Sequence, residues 1–123
     1  YNLFIQVLSN LLDNSLKFIQ RGGRIVIKAY LISSSPISKV NMLHKVRIQV
    51  IDEGIGIKVC DQSRIFDRFV RVENNIHTLE GTGLGLSIVK NIIEKHKSTI
   101  FVYSELDVGS CFWFDLFLLE KKN

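Results

Sequence analysis

The chain has 123 residues, 46% of them hydrophobic and 23% charged, with a formal net charge of +4. That length suits one domain with a real core and excludes two, and the apolar share excludes a disordered tail. Lysines and arginines are scattered rather than clustered, so the mild basicity suits a polyanionic small ligand better than a nucleic acid.

No apolar run approaches the roughly 18 residues that cross a bilayer, and no signal-peptide pattern opens the chain. The first residues, YNLF, lack a methionine, which reads as excision from a longer protein with any anchor or targeting segment upstream. Cys60 and Cys111 show no C-x-x-C spacing and no nearby histidine pair. They read as packing residues in a reducing compartment, and zinc is not expected.

Residues 2 to 20 place Phe4, Val7, Leu8, Leu11, Ser15, Phe18 and Ile19 at helical spacing and end at Gly22 and Gly23, which predicts an amphipathic helix. Two alternating, β-branched segments follow, Arg24 to Ile32 and Lys45 to Asp52, both predicted strands. The serine-rich stretch between them, residues 33 to 44, predicts a long, mobile hairpin loop. A short helix is expected near Asp61 to Val70, an aperiodic lid from Glu73 to Thr82, and a helix from Leu84 to about His96. Two last strands, TIFVYSE and SCFWFDLFLL, flank a turn, LDVG, with Gly109 placed for positive φ. This order suggests a two-layer α+β sandwich, a mixed, mostly antiparallel sheet covered on one face by helices.

The unusual chemistry lies where these patterns break. Asn10, Asn14 and Lys17 share the polar face of the first helix, although Asn is a poor helix former because its amide competes for backbone hydrogen bonds. A solvated face would tolerate them; alternatively, an amide oxygen is a ligand for Mg²⁺, and Lys17 would reach a phosphate. DEGIGI, from Asp52 to Ile57, puts a carboxylate at a strand end before Gly54 and Gly56, which would let a flat ligand lie against the backbone. Such a carboxylate accepts from the exocyclic amine of adenine; a plain D-E-G turn would read the same. GTGLGLSIVK, from Gly81, opens a helix with three glycines in five positions, a ready anion site, yet it fits neither the dinucleotide fingerprint nor the P-loop.

Taken in order, NLLDNSLKF, DEGIGI, IFDRFVRVE and GTGLGLSIV resemble the N, G1, F and G2 boxes of the sensor histidine kinase ATP-binding domain, over nearly the whole chain from Asn2 to about Leu118. That family belongs with the gyrase, heat-shock chaperone and mismatch-repair ATPases of the Bergerat fold. The run from Arg71 to His96 is further similar to a group of cyanobacterial and plastid-encoded sensor kinases. The resemblance implies ATP and Mg²⁺ as ligands, with Asn14 on the metal and Asn10 and Lys17 around the phosphates. It implies Asp52 on the adenine, with Gly54, Gly56 and Ile57 beneath the base. Phe66 and Phe69 would pack the lid base, Arg71 would touch phosphate, and Gly81, Thr82, Gly83, Leu84 and Gly85 would let the lid approach the phosphates. It also implies a histidine-bearing dimerisation domain and a response regulator as partners, a homodimeric, membrane-anchored parent, and a cytoplasmic or plastid stromal location. No nucleic acid and no membrane contact by the domain itself are expected.

Two departures stand out. A second basic lid residue common in the family is replaced by Ile76, beside His77, and Lys97 and Ser98 stand where the family often has Gly-Gly, which puts the local turn in question. Hydrolysing relatives carry a Glu one turn before the metal-binding Asn; here that residue is Asn10, which cannot take a proton from water. His44, His77 and His96 lack the H-[ED]-x-x-x-P phosphoacceptor context. The expected activity is therefore γ-phosphate transfer to a histidine outside this chain. The alternatives are an ATP-hydrolysing conformational clamp and a silent nucleotide-binding scaffold.

Overall fold

The computed structural model describes residues 2–67 and 85–121. Its elements are α1 (Asn2–Phe18), β1 (Ile25–Pro36), β2 (Asn41–Asp52), α2 (Val59–Gln62), α3 (Gly85–Lys95), β3 (Phe101–Glu105) and β4 (Gly109–Lys121). The four strands form one sheet in the order β1-β2-β4-β3, with every pairing among them antiparallel.

Alternation along the strands gives the sheet two different faces. Ile48 and Val50 of β2 lie opposite Phe114 and Phe112 of β4, and these four are buried with Val7 and Leu11 of α1 and Val89, Ile92 and Ile93 of α3. Both long helices thus cover the same face. Phe4 and Phe66 meet Phe114 and Phe112 edge-on, with ring centroids 6.4 Å and 6.0 Å apart. On the opposite face the same strands carry Arg47 opposite Asp115 and Gln49 opposite Trp113. Arg47 donates to both carboxylate oxygens of Asp115, at 2.8 and 3.0 Å, and Phe101 stacks on Trp113 at 5.3 Å.

The stretch expected to be a mobile loop is mostly strand. β1 continues to Pro36 and β2 begins at Asn41, so only residues 37–40 turn the hairpin, and a register shift between Leu31 and Ser33 absorbs the irregularity. Ser38 closes the turn, its Oγ accepting from the backbone N–H groups of Val40 and Asn41. The physical reason lies far along the chain. The end of β4 pairs with β2 out to Asn41 opposite Lys121, so the polar segment finds backbone partners that no local pattern announces. His44, taken for a loop residue, is in β2, where its ring bonds Ser34 and Glu120. The second helix is shorter than expected, and the expected residues 68–70 lie outside the described residues.

The turn after α3 keeps its geometry without glycine. The N–H of Ser98 bonds the carbonyl of Ile93 and that of Lys97 bonds Glu94, at 3.1 and 3.0 Å, the paired bonds of a Schellman cap. Lys97 takes the left-handed position, at φ 58°, and Ser98 Oγ ties the turn to the Asp115 carbonyl. Gly109 has the expected positive φ, 146°.

Two outcomes follow from this packing. Lys97→Gly removes a Cβ from a left-handed residue and should stabilise the domain by about 0.5–1 kcal/mol, since the strain relieved exceeds the entropy that glycine adds to the unfolded chain; urea unfolding measures it, and a loss of stability would contradict the strain. The Arg47 guanidinium holds the Asp115 carboxyl below its ordinary range. A carboxyl depressed in the folded state contributes stability above its unfolded value and loses it as pH falls through the folded one. Asp115→Asn should therefore be less stable than the parent at pH 7, with the gap closing below about pH 4; a gap independent of pH in urea titrations would show the pair to be energetically silent.

Candidate functional site

Val7, Leu11 and Ser15 form the stripe that α1 buries, and the two asparagines each precede one of these positions. Asn10 and Asn14 therefore sit half-buried at the margin of the packed face, while Lys17 is exposed. Asn10 Nδ2 is shielded from water and has no hydrogen-bond partner among the described residues. A buried donor left unpaired costs about 1–3 kcal/mol, so an oxygen-rich ligand at this margin would offset a penalty already present.

Asp52 ends β2 on the helix-covered face and is 5% exposed. Burial pushes its carboxyl above the usual carboxylate range, and three donors pull the other way. Ser15 Oγ donates to Oδ2 at 3.2 Å, the Gly54 N–H donates to Oδ1 at 3.0 Å, and the Ser110 N–H, opposite in β4, also favours the charged form. A carboxylate offers about four acceptor positions, so the three donors among the described residues leave one for a further donor.

The loop after Asp52 is fastened to the end of α1. Ile55 N–H bonds the Phe18 carbonyl at 3.0 Å, Gln20 N–H bonds the Glu53 carbonyl at 3.2 Å, and Gln20 Nε2 bonds the Gly54 carbonyl at 2.7 Å. Each glycine is already required by the chain itself. A Cβ on Gly54 would lie 2.6 Å from the Phe18 carbonyl oxygen, and one on Gly56, at φ 76°, would strike the Glu105 carbonyl. Ile57, half-buried, donates its N–H to Ser104 Oγ at 2.8 Å, and Ser104 Oγ meets Ser110 Oγ at 2.8 Å. A hydrogen-bonded path thus joins α1, the glycine loop and the β3–β4 hairpin around one carboxylate.

The structure ties Asp52 and the loop through Gly54, Gly56 and Ile57 to α1 by way of Ser15 and Phe18, and Asn14 immediately precedes Ser15 on that helix. Phe66 is half-buried against Phe112. Gly85 begins α3, where an added Cβ meets no described atom. Phe69, Arg71, Gly81, Thr82, Gly83 and Leu84, with the expected lid, lie outside the described residues. Sequence reasoning missed Ser15, Gln20, Ser104 and Ser110 as parts of the site. Ser15 carried a usable signal, since a serine in an otherwise apolar helix stripe needs a polar partner.

The sequence profile described as histidine kinase-, DNA gyrase B-, and HSP90-like ATPase matches residues 1–120. The sensor-like histidine kinase ycf26 of Pyropia yezoensis is 57% identical over 124 residues, taking in 98% of this chain and 19% of that protein. Drug sensory protein A of Synechocystis is 54% identical over 121 residues, 98% of this chain and 18% of its own length. This chain therefore spans about a fifth of the length of these relatives. Of solved structures, the mycobacterial sensor histidine kinase MprB is similar at a TM-score of 0.75 and 25% identity, over 95% of this chain and 71% of that one. Full-length ShkA in complex with AMPPNP is similar at 0.69 and 30% identity, over 93% and 21%. With the profile covering all but the last three residues and the strand-end carboxylate seated against the asparagine helix, the chain belongs to the family of histidine kinase-, DNA gyrase B- and HSP90-like ATPases.

Proposed function

We propose that this chain is the ATP-binding catalytic domain of a longer sensor histidine kinase. It binds Mg²⁺-ATP and delivers the γ-phosphate to a histidine on the parent's dimerisation domain, which then supplies a response regulator. The observation that carries this reading is the buried Asp52 carboxylate, held by three donors among the described residues with one acceptor position to spare, and bonded to Ser15 on the helix that also carries Asn14. An exocyclic amine is the donor that completes it. The AMPPNP held by the similar ShkA structure supports a nucleotide there, and the sensor-kinase names of the relatives support the signalling role.

The residues fit a magnesium nucleotide. Asn14 offers a half-buried amide oxygen, the hard ligand of which Mg²⁺ takes one or two alongside phosphate and water. Mg²⁺, when bound, offsets the charge on the β- and γ-phosphates. Lys17, exposed one turn beyond Asn14, reaches for phosphate, and Asn10 Nδ2, without a partner among the described residues, donates toward an oxygen. Arg71 and the glycines from Gly81 to Gly85 complete the phosphate contacts, as their motif implies. Asn10 stands where a base would otherwise activate water, which suppresses hydrolysis in favour of an imidazole nucleophile, already carrying a lone pair near neutral pH.

The acceptor belongs elsewhere. His44 is engaged by Ser34 and Glu120, and His96 Nδ1 lies 2.8 Å from the carbonyl of Ile92. The parent is a membrane-anchored homodimer with this domain on its cytoplasmic or stromal side; among the described residues no helix is long and apolar enough to cross a membrane.

Asp52→Asn should weaken Mg²⁺-ATP binding by about 1.5–3 kcal/mol, the worth of a hydrogen bond to a charged acceptor. Calorimetric titration reads it, and unchanged affinity would remove Asp52 from the site. Given the parent's dimerisation helices in trans and radiolabelled ATP, the domain should label their histidine, and Asn14→Ala should abolish the label even where nucleotide still binds. Rapid phosphate release by the domain alone would favour a hydrolytic clamp, and transfer surviving Asn14→Ala would displace the metal site.

A further inference from the structure

Ser15 is fully buried in a stripe whose other members are Val7 and Leu11, and nothing in helix packing asks for a hydroxyl there. Its Oγ instead donates to Asp52 Oδ2 at 3.2 Å. The other two donors to that carboxylate are main-chain N–H groups, of Gly54 and Ser110, which come from the backbone and not from a side chain. Among the described residues Ser15 is thus the side-chain donor to Asp52.

We infer that Ser15 is a positioning residue that keeps Asp52 ionised and aimed as an acceptor, and so makes the site choose a base that presents an amine. The inference rests on the ATP-binding reading above and extends it. Burial favours the neutral carboxyl and the donors favour the charged one, so the balance turns on how many donors are present. A neutral Asp52 presents an O–H. It would then suit a base with a carbonyl at the same edge, as guanine has, in place of the amine of adenine. Among the described residues no charged side chain contributes to the balance. Ile25 pairs with Asp52 in β1 and Ser110 in β4; the adjacent Glu53 turns to Arg24, and the Cys111 thiol, next along β4, is itself pushed up by its own burial.

The test is calorimetric titration of Mg²⁺-ATP and Mg²⁺-GTP into the parent chain and Ser15→Ala from about pH 5 to 8, because a carboxyl raised by burial ionises at higher pH than an ordinary one. Loss of a donor to the charged form raises the carboxyl further, so the fall in ATP affinity on acidification should move to higher pH in Ser15→Ala. At mid-range ATP should weaken roughly tenfold while GTP does not weaken in step. In an Asp52→Asn background the same substitution should add nothing. Equal weakening of both nucleotides at every pH, or no change, would make Ser15 a packing residue and overturn the inference. If Ser15→Ala does not fold, Ser15→Cys, which keeps a weaker donor in nearly the same volume, carries the same comparison. Absence of ATP binding by the parent chain, or Asp52→Asn binding as well as the parent, would instead overturn the ATP site and this inference with it.

Discussion

A carboxylate at the end of an interior strand has to be solvated by the protein, and at Asp52 the groups that do so come from three separate parts of the chain. Ser15 arrives from α1, the Gly54 N–H from the loop that follows, and the Ser110 N–H from the start of β4. Leaving any of these unpaired would cost more than most single contacts contribute, so the helix, the loop and the hairpin are obliged to close on the same point. That closure is tight. A side chain on Gly109 would run into the carbonyl of Asp52, and one on Gly54 would meet both the Phe18 carbonyl and the Asp52 carboxylate.

The apolar core makes this arrangement possible. Val50, Phe112 and the α1 and α3 stripes lie directly beneath the polar end of the same sheet face, so burial that stabilises the fold also excludes water from the carboxylate. Among the described residues no helix covers the opposite face, and there charge is handled differently: Arg47 and Lys45 surround Asp115, and aromatic rings stack in the open. Two aspartates on one sheet thus have opposite fates. One is held charged by cations at a half-open face, and the other is raised by burial and left with a spare acceptor position. The second is held without a cation, by hydrogen-bond donors alone among the described residues.

Much of this was legible in the residues alone. The 3.6-residue stripe of α1, the alternation of β2 and β4, the strand end at Asp52 and the positive φ at Gly109 are local properties, and local patterns report them. The ordered boxes were legible in the same way, and the family they resemble is the one whose profile matches residues 1–120.

What only the tertiary structure decided is everything that depends on a partner distant in sequence. The serine-rich stretch became strand because β4 extends to Lys121 and supplies its hydrogen bonds, and the turn at Lys97 survived without glycine because Ser98 is anchored to Asp115. Gly54 and Gly56 read as room for a ligand, yet their Cβ positions are already filled by the carbonyls of Phe18 and Glu105. Ser15 could be placed on the inner face by periodicity, but its bond to a carboxylate on another element could not. Periodicity specifies which way a side chain points, whereas hydrogen-bond satisfaction in a core is a property of the assembled neighbours.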